Sequence, residues 1–246
     1  MKDMNPTNEL PKTLHADAEH GGLRTAVVVL MITAVFLSFR LLNLLFETFG
    51  APDYTIFLSC AGAVPLGLLL VWFAEQGLKQ IWHSGRKITL TPHGVESVEG
   101  KAKPVKYYWN NHISGLLWQF SLKGFPRGGR ERRLPADWHC LACQLAQGEN
   151  RLIAFTFVSP KAKARYLTNF TFTELDLGEV YPKSTFSLRP PSRPDIPAKV
   201  LAGKHGRFWV AEKRRWQEGF ELSPADFETF VTAVMAHAAK SEKIDD

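Results

Sequence analysis

Two stretches decide the architecture: residues 25–46, TAVVVLMITAVFLSFRLLNLLF, and residues 54–74, YTIFLSCAGAVPLGLLLVWFA. The first holds one charge, Arg40, in 22 positions, and the second holds none in 21. At ~1.5 Å of rise per residue, each is long enough as a helix to cross a hydrocarbon core of about 30 Å. A buried core helix is the competing reading for both, and a cleaved signal peptide for the first. Two such runs separated by seven residues are rare in water-soluble domains. The segment before the first run carries Asp3, Glu9, Asp17 and Glu19, unlike the basic start of a signal peptide. The sequence therefore predicts a two-helix transmembrane hairpin within residues 23–82. A flexible tail, residues 1–22, precedes it, where Pro6, Pro11 and the pair Gly21-Gly22 interrupt any regular pattern.

The connection between the runs contains Glu47 and Asp53 and no Lys or Arg, whereas Arg24 precedes the first run and Lys79, Arg86 and Lys87 follow the second. The excess of positive charge at the outer ends predicts that both termini are cytoplasmic. Arg40 then sits near the far end of the first helix, where its long stem reaches the headgroups. In the second run Ser59, Ala63 and Gly67 recur every four residues, which makes a stripe where another helix approaches closely. That helix is either the first one or a partner subunit. Pro65 predicts a kink.

Charge separates along the chain. Residues 1–74 contain four of the 30 Lys/Arg and six of the 24 Asp/Glu, so the remainder carries a net +8 although the whole chain carries +6. A basic domain beside a bilayer has lipid headgroups as its nearest polyanion. No nucleic-acid recognition motif is present.

Beyond Trp82 the periodicity changes from helical to alternating. Lys87 to Thr91 alternates polar and apolar, Pro92-His93-Gly94 makes a turn, and Val95 to Val98 begins a second extended piece. Further strands are predicted at 105–109, 116–122, 138–147 and 151–158, with Gln147-Gly148-Glu149-Asn150 as a hairpin turn, and at 207–211 and 217–222. The chain closes on a helix over 224–240. Ser223 is its N-cap, Pro224 its first residue, and Phe227, Phe230, Val231, Val234 and Met235 its apolar stripe, ahead of a frayed end at 241–246. The fold class is thus a membrane α-helical hairpin followed by an α+β soluble domain (residues 83–240), a small antiparallel β-barrel capped by a C-terminal helix.

The succession Lys87-Ile88-Thr89-Leu90-Thr91-Pro92-His93-Gly94-Val95, Tyr108-Trp109-Asn110-Asn111-His112-Ile113 and Gly219-Phe220-Glu221-Leu222-Ser223-Pro224 resembles the bacterial pleckstrin-homology-like domains. It is similar in particular to YcxB-like membrane proteins, in which such a domain follows a two-helix hairpin. The resemblance covers residues 86–158 and 199–240, and residues 159–197 depart from it as an insertion. It implies a binding or scaffolding module at a bacterial inner (cytoplasmic) membrane, and names no ligand.

Candidate contacts for anionic lipid or a partner protein are basic. Lys123, Arg127, Arg130, Arg132 and Arg133 fall within eleven residues of a Gly/Pro-containing loop, and Lys213, Arg214 and Arg215 lie between Trp209 and Trp216. Cys140 and Cys143 form a Cys-x-x-Cys unit, but on a strand residues three apart face opposite sides, and no second pair completes a zinc site. No His-Glu-x-x-His or Gly-x-Ser-x-Gly motif occurs. The leading expectation is a non-enzymatic membrane-anchored binding module with no cofactor and no metal. The alternatives are an accessory subunit of a larger membrane complex or a homo-oligomer using the small-residue stripe, and a thiol-redox protein using Cys140 and Cys143.

Overall fold

A computed structural model describes residues 10–18, 20–48, 54–123, 134–135, 137–180 and 195–242. The chain divides into two compact units, residues 18–84 and residues 1–17 joined with 85–246.

The first unit is a pair of helices, α1 (Gly21–Thr48), which passes both predicted boundaries, and α2 (Thr55–Ile81), which passes its C-terminal one. Both are long and apolar enough to cross a membrane, and only 11% and 22% of their most apolar windows are buried. Each buries one narrow stripe: Thr55, Ser59, Ala63, Gly67 and Val71 on α2, and Leu23, Ala34 and Ser38 on α1. A Cβ on Gly67 would lie 2.7 Å from Val35 Cγ2 and 2.9 Å from Val35 Cα, so the helices cross where only glycine fits. The stripe Ser59, Ala63, Gly67 thus serves packing against α1, the first of its two readings. Pro65 lies within α2 without ending it. The other faces are bare, with Ile32 66% and Phe57 73% exposed. Arg40 is exposed, with its guanidinium 5.7 Å from the centre of the Phe36 ring. Residues 49–53 of the predicted turn lie outside the described residues.

The second unit contains two sheets. One has the order β1-β2-β3-β4, formed by β1 (Lys12–His15), β2 (Lys87–Thr91), β3 (Gly94–Val98) and β4 (Val105–Tyr108). The other has the order β8-β5-β6-β7-β9, formed by β5 (Ser114–Ser121), β6 (His139–Gln147), β7 (Asn150–Val158), β8 (Thr173–Glu174) and β9 (Phe220–Glu221). The hairpins fall at the predicted turns. Thr91 pairs with Gly94 across Pro92-His93, and Gln147 with Asn150 across Gly148-Glu149, where Gly148 has φ +57°. A Cβ on Gly94 would stand 1.9 Å from the Tyr107 carbonyl oxygen, so β4 can close on β3 only at a glycine.

Three expectations need correction. First, the segment read as a flexible tail contains β1, antiparallel to β2, with Leu14 opposite Ile88. Leu14 is fully buried and Ala16 2% exposed, so residues 12–16 contribute to the core. Second, among the described residues a closed barrel is not found. β6 and β7 are buried on both faces, and β8 and β9 join their sheet in parallel, so the five-stranded sheet is a middle layer rather than part of one closed wall. Third, residues 207–211 are helical, within α5 (Gly206–Glu218), and of residues 217–222 only β9 is extended. The insertion at 159–197, for which the sequence made no structural prediction, carries a helix, α3 (Pro160–Asn169), with Ser159 Oγ accepting from the Ala162 N–H at 3.3 Å, while 181–194 lie outside the described residues.

Two apolar cores result. The larger joins Leu14, Ile88, Leu90 and Val95 of the first sheet to Leu117, Leu141 and Leu152 of the second, closed by Phe227, Phe230, Val231 and Val234 of α6 (Pro224–Glu242). Its cap is as predicted: Ser223 Oγ accepts from the Asp226 N–H at 3.2 Å and donates to Asp226 Oδ2 at 2.8 Å. The second core lies on the opposite face of the five-stranded sheet, where Trp118, Phe120, Ile153 and Phe155 meet α5 and the short α4 (Ala198–Leu201). Gln147 ties the two sheets at one corner, accepting from the Tyr108 N–H at 3.0 Å and donating to the Tyr108 carbonyl at 2.7 Å.

Candidate functional site

The basic residues singled out by sequence have different fates. Arg127, Arg130, Arg132 and Arg133 lie outside the described residues, and Lys123 is exposed two residues past β5. Of the α5 triplet, Lys213 is half exposed, with Nζ 3.5 Å from Asp195 Oδ1, and Arg214 is partly exposed. Arg215 faces inward, and its side chain is 2% exposed. Its Nε lies 2.7 Å from Glu212 Oε2 and its Nη2 donates to Glu212 Oε1 at 2.9 Å. The guanidinium stacks 4.6 Å from the Phe155 ring centre and 5.3 Å from that of Phe120, and Trp118 Nε1 donates to Glu212 Oε2 at 3.0 Å. Arg215 is therefore no lipid or partner ligand, because the side chain is already held in the second core. Its work is structural: it lets a carboxylate and a cation sit on the inner face of α5.

With Arg215 removed, the outer layer over the second core still collects positive charge. On α5 the inner face is Phe208, Trp209, Ala211, Glu212 and Arg215, which leaves Arg207, Val210, Lys213 and Arg214 on the opposite side by helical spacing. Lys199 and Leu201 on α4 and Lys204 after it are also exposed. A Cβ on Gly206 would stand 1.9 Å from the Leu201 carbonyl oxygen, so the corner between the two helices closes tightly and they form one layer. The sequence reading passed over Lys199, Lys204 and Arg207. Their signal was a spaced run of basic residues, which becomes a face only once 206–218 is known to be helical.

A second charged cluster sits where the unit's separate chain segments meet. Arg86 donates through Nη1 to Asp17 Oδ2 at 2.5 Å and to the Gly219 carbonyl at 3.0 Å, and through Nη2 to the Glu218 carbonyl at 2.6 Å. Its guanidinium lies 4.1 Å from the Phe220 ring centre, and Nε is 3.2 Å from Glu99 Oε1. Asp17, at φ 53°, also accepts from the Glu221 N–H through Oδ1 at 3.2 Å. One arginine thus clamps the segment before α1, the segment after α2 and the end of α5.

Cys140 and Cys143 are fully buried on opposite faces of β6, one in each core. Burial pushes the Cys143 thiol above its ordinary range. The pair therefore lacks the shared side that a disulfide needs, and burial disfavours the Cys143 thiolate. In detergent, iodoacetamide is expected to modify Cys60, which is exposed, and to spare Cys140 and Cys143 until the chain is unfolded in urea. More than one adduct per folded chain by intact mass would contradict this. His139 is held below its usual pKa by burial and then by Lys163. Among the described residues no three His, Cys, Asp or Glu side chains gather as a metal site.

Comparison of the chain with protein-family models, with curated proteins and with solved structures returns no match.

Proposed function

We propose that this chain is a non-enzymatic binding or scaffold module of the bacterial inner (cytoplasmic) membrane. In this reading α1 and α2 are the anchor, and the second unit presents its basic surface on the cytoplasmic side to anionic lipid or a partner protein. The observation that carries the reading is the contrast between a helical pair whose outer faces are apolar and bare and a second unit with two closed cores. Apolar faces of that extent are stable only out of water. The pleckstrin-homology-like character rests on the succession β2 to β7 followed by α6, without the closed barrel.

Topology has support independent of the charge rule. β1 precedes α1, β2 follows α2, and the two are hydrogen-bonded neighbours in one sheet. Strands of one sheet share one side of a bilayer, which supports a pair of helices that goes out and returns. Epitope tags at the two ends of the full chain are expected to be digested together by protease added to one face of sealed vesicles. Opposite accessibility of the tags would contradict the hairpin.

The lipid arm is tested with the full chain in proteoliposomes. Trypsin is expected to cut the second unit more slowly in bilayers containing phosphatidylglycerol than in phosphatidylcholine alone, and salt is expected to remove the difference. Equal rates in both bilayers would contradict it. The accessory-subunit reading loses one of its supports, because the small-residue stripe is occupied within the helical pair.

A further inference from the structure

We infer that the lipid-binding surface is the outer face of α4 and α5, built from Lys199, Lys204, Arg207 and Arg214 around exposed Leu201 and Val210, and that its ligand is the anionic phospholipid headgroup layer. The inference rests on the membrane reading above and gives it a place on the molecule.

Charge is the first reason. Between residues 195 and 218 the acidic side chains are Asp195, Glu212 and Glu218, and Glu212 is consumed inside the second core by Arg215. Asp195 approaches Lys213 at 3.5 Å with a fully exposed side chain, an ion pair that water and salt weaken. The cations at 199, 204, 207 and 214 thus dominate this layer's outer side.

The second reason is the pattern of apolar residues among the cations. Leu201 and Val210 are each 42% exposed, although the layer beneath is already filled by Val200, Phe208, Trp209 and Ala211. A helix layer with a packed inner face and an outer face of cations with interspersed aliphatic side chains matches an anionic interface. There the cations meet phosphate oxygens, and the aliphatic groups enter the boundary with the acyl chains. An acidic protein surface matches the cations, but it leaves Leu201 and Val210 against polar groups.

Tethering is the third reason. Arg86, five residues after the end of α2, clamps the carbonyls of Glu218 and Gly219 at the end of α5. Weak contacts by individual cations become effective when a short covalent connection keeps the face at high local concentration near the bilayer.

The test uses the full chain with Cys60→Ser and Val210→Cys, labelled with a fluorophore at position 210 and reconstituted in nanodiscs containing headgroup-region quencher lipids. Quenching is expected to be strong with phosphatidylglycerol and weak with phosphatidylcholine alone. The added substitutions Lys199→Gln, Lys204→Gln, Arg207→Gln and Arg214→Gln are expected to lower the bound-to-free ratio by about 100-fold or more, from the contribution of each basic side chain near a charged surface. Circular dichroism of this variant checks that its fold is retained. Quenching that is equal in the two lipids, or unchanged in a folded quadruple variant, would overturn the inference. A label shielded in native membranes yet unquenched in anionic nanodiscs would assign the face to a protein partner and also overturn it. Failure of the chain to enter the nanodisc at all would instead contradict the membrane anchor, so the two failures are distinct.

Discussion

Arg215→Ala is expected to be the most damaging single substitution on α5, costing about 3–5 kcal/mol because it strands the Glu212 carboxylate in the second core. Both side chains are 2% exposed, and Trp118 Nε1 donates to the same carboxylate. Removing the cation also takes a planar group from beside the Phe120 and Phe155 rings. Alanine at the neighbouring Arg214, on the outer face, is expected to change stability by no more than about 0.5 kcal/mol. Urea unfolding of the full chain in detergent, followed by far-ultraviolet circular dichroism, measures both. The double variant Glu212→Leu with Arg215→Met is expected to recover most of the loss, since a buried pair replaced by apolar groups of similar size leaves no charge unpaired. Equal effects of Arg214→Ala and Arg215→Ala would show that Arg215 does not occupy the second core.

Deleting residues 1–17 is expected to unfold the second unit while leaving α1 and α2 intact. The deletion removes a strand of the first sheet, the buried Leu14 and Ala16, and the carboxylate that Arg86 grips. Leu14→Ala alone is expected to cost about 2–5 kcal/mol, a large share of the ~5–15 kcal/mol that stabilises an ordinary domain. Thr13→Ala, on the exposed side of the same strand, serves as the control. Limited proteolysis of the full chain and its variants reads the result: rapid cleavage across β2 to β7 in the deletion and in Leu14→Ala, and a wild-type pattern in Thr13→Ala. A deletion variant with wild-type resistance would mean that β1 is dispensable.

The parts legible in the sequence are those whose signals are local. Length and composition gave α1 and α2, the Pro92-His93-Gly94 and Gln147 to Asn150 turns gave two hairpins, and Ser223-Pro224 gave α6. The Ser159-Pro160 pair carries the same capping signal and marks α3 just as directly. β1 was not legible because its four residues carry no alternating pattern, and its partner β2 begins 75 positions after Lys12. α5 was missed for a different reason. Helical spacing is visible in Phe208, Trp209, Ala211, Glu212 and Arg215 only if two charged residues are allowed on the inner face, and only their pairing allows it.

The same point governs the candidate site. Lys213, Arg214 and Arg215 are adjacent and alike in sequence, but a helix sends the third of them into the core and leaves the others on the outer side with Arg207. A run of like charges in a sequence is a statement about composition, and only the local backbone turns it into a surface.

The anchor is the claim on which the functional reading depends, and alkaline carbonate extraction of membranes from cells expressing the full chain tests it most directly. The chain is expected to stay wholly in the pellet at high pH and to be released only by detergent, as two bilayer-spanning helices require. Intact chain in the carbonate supernatant would contradict it.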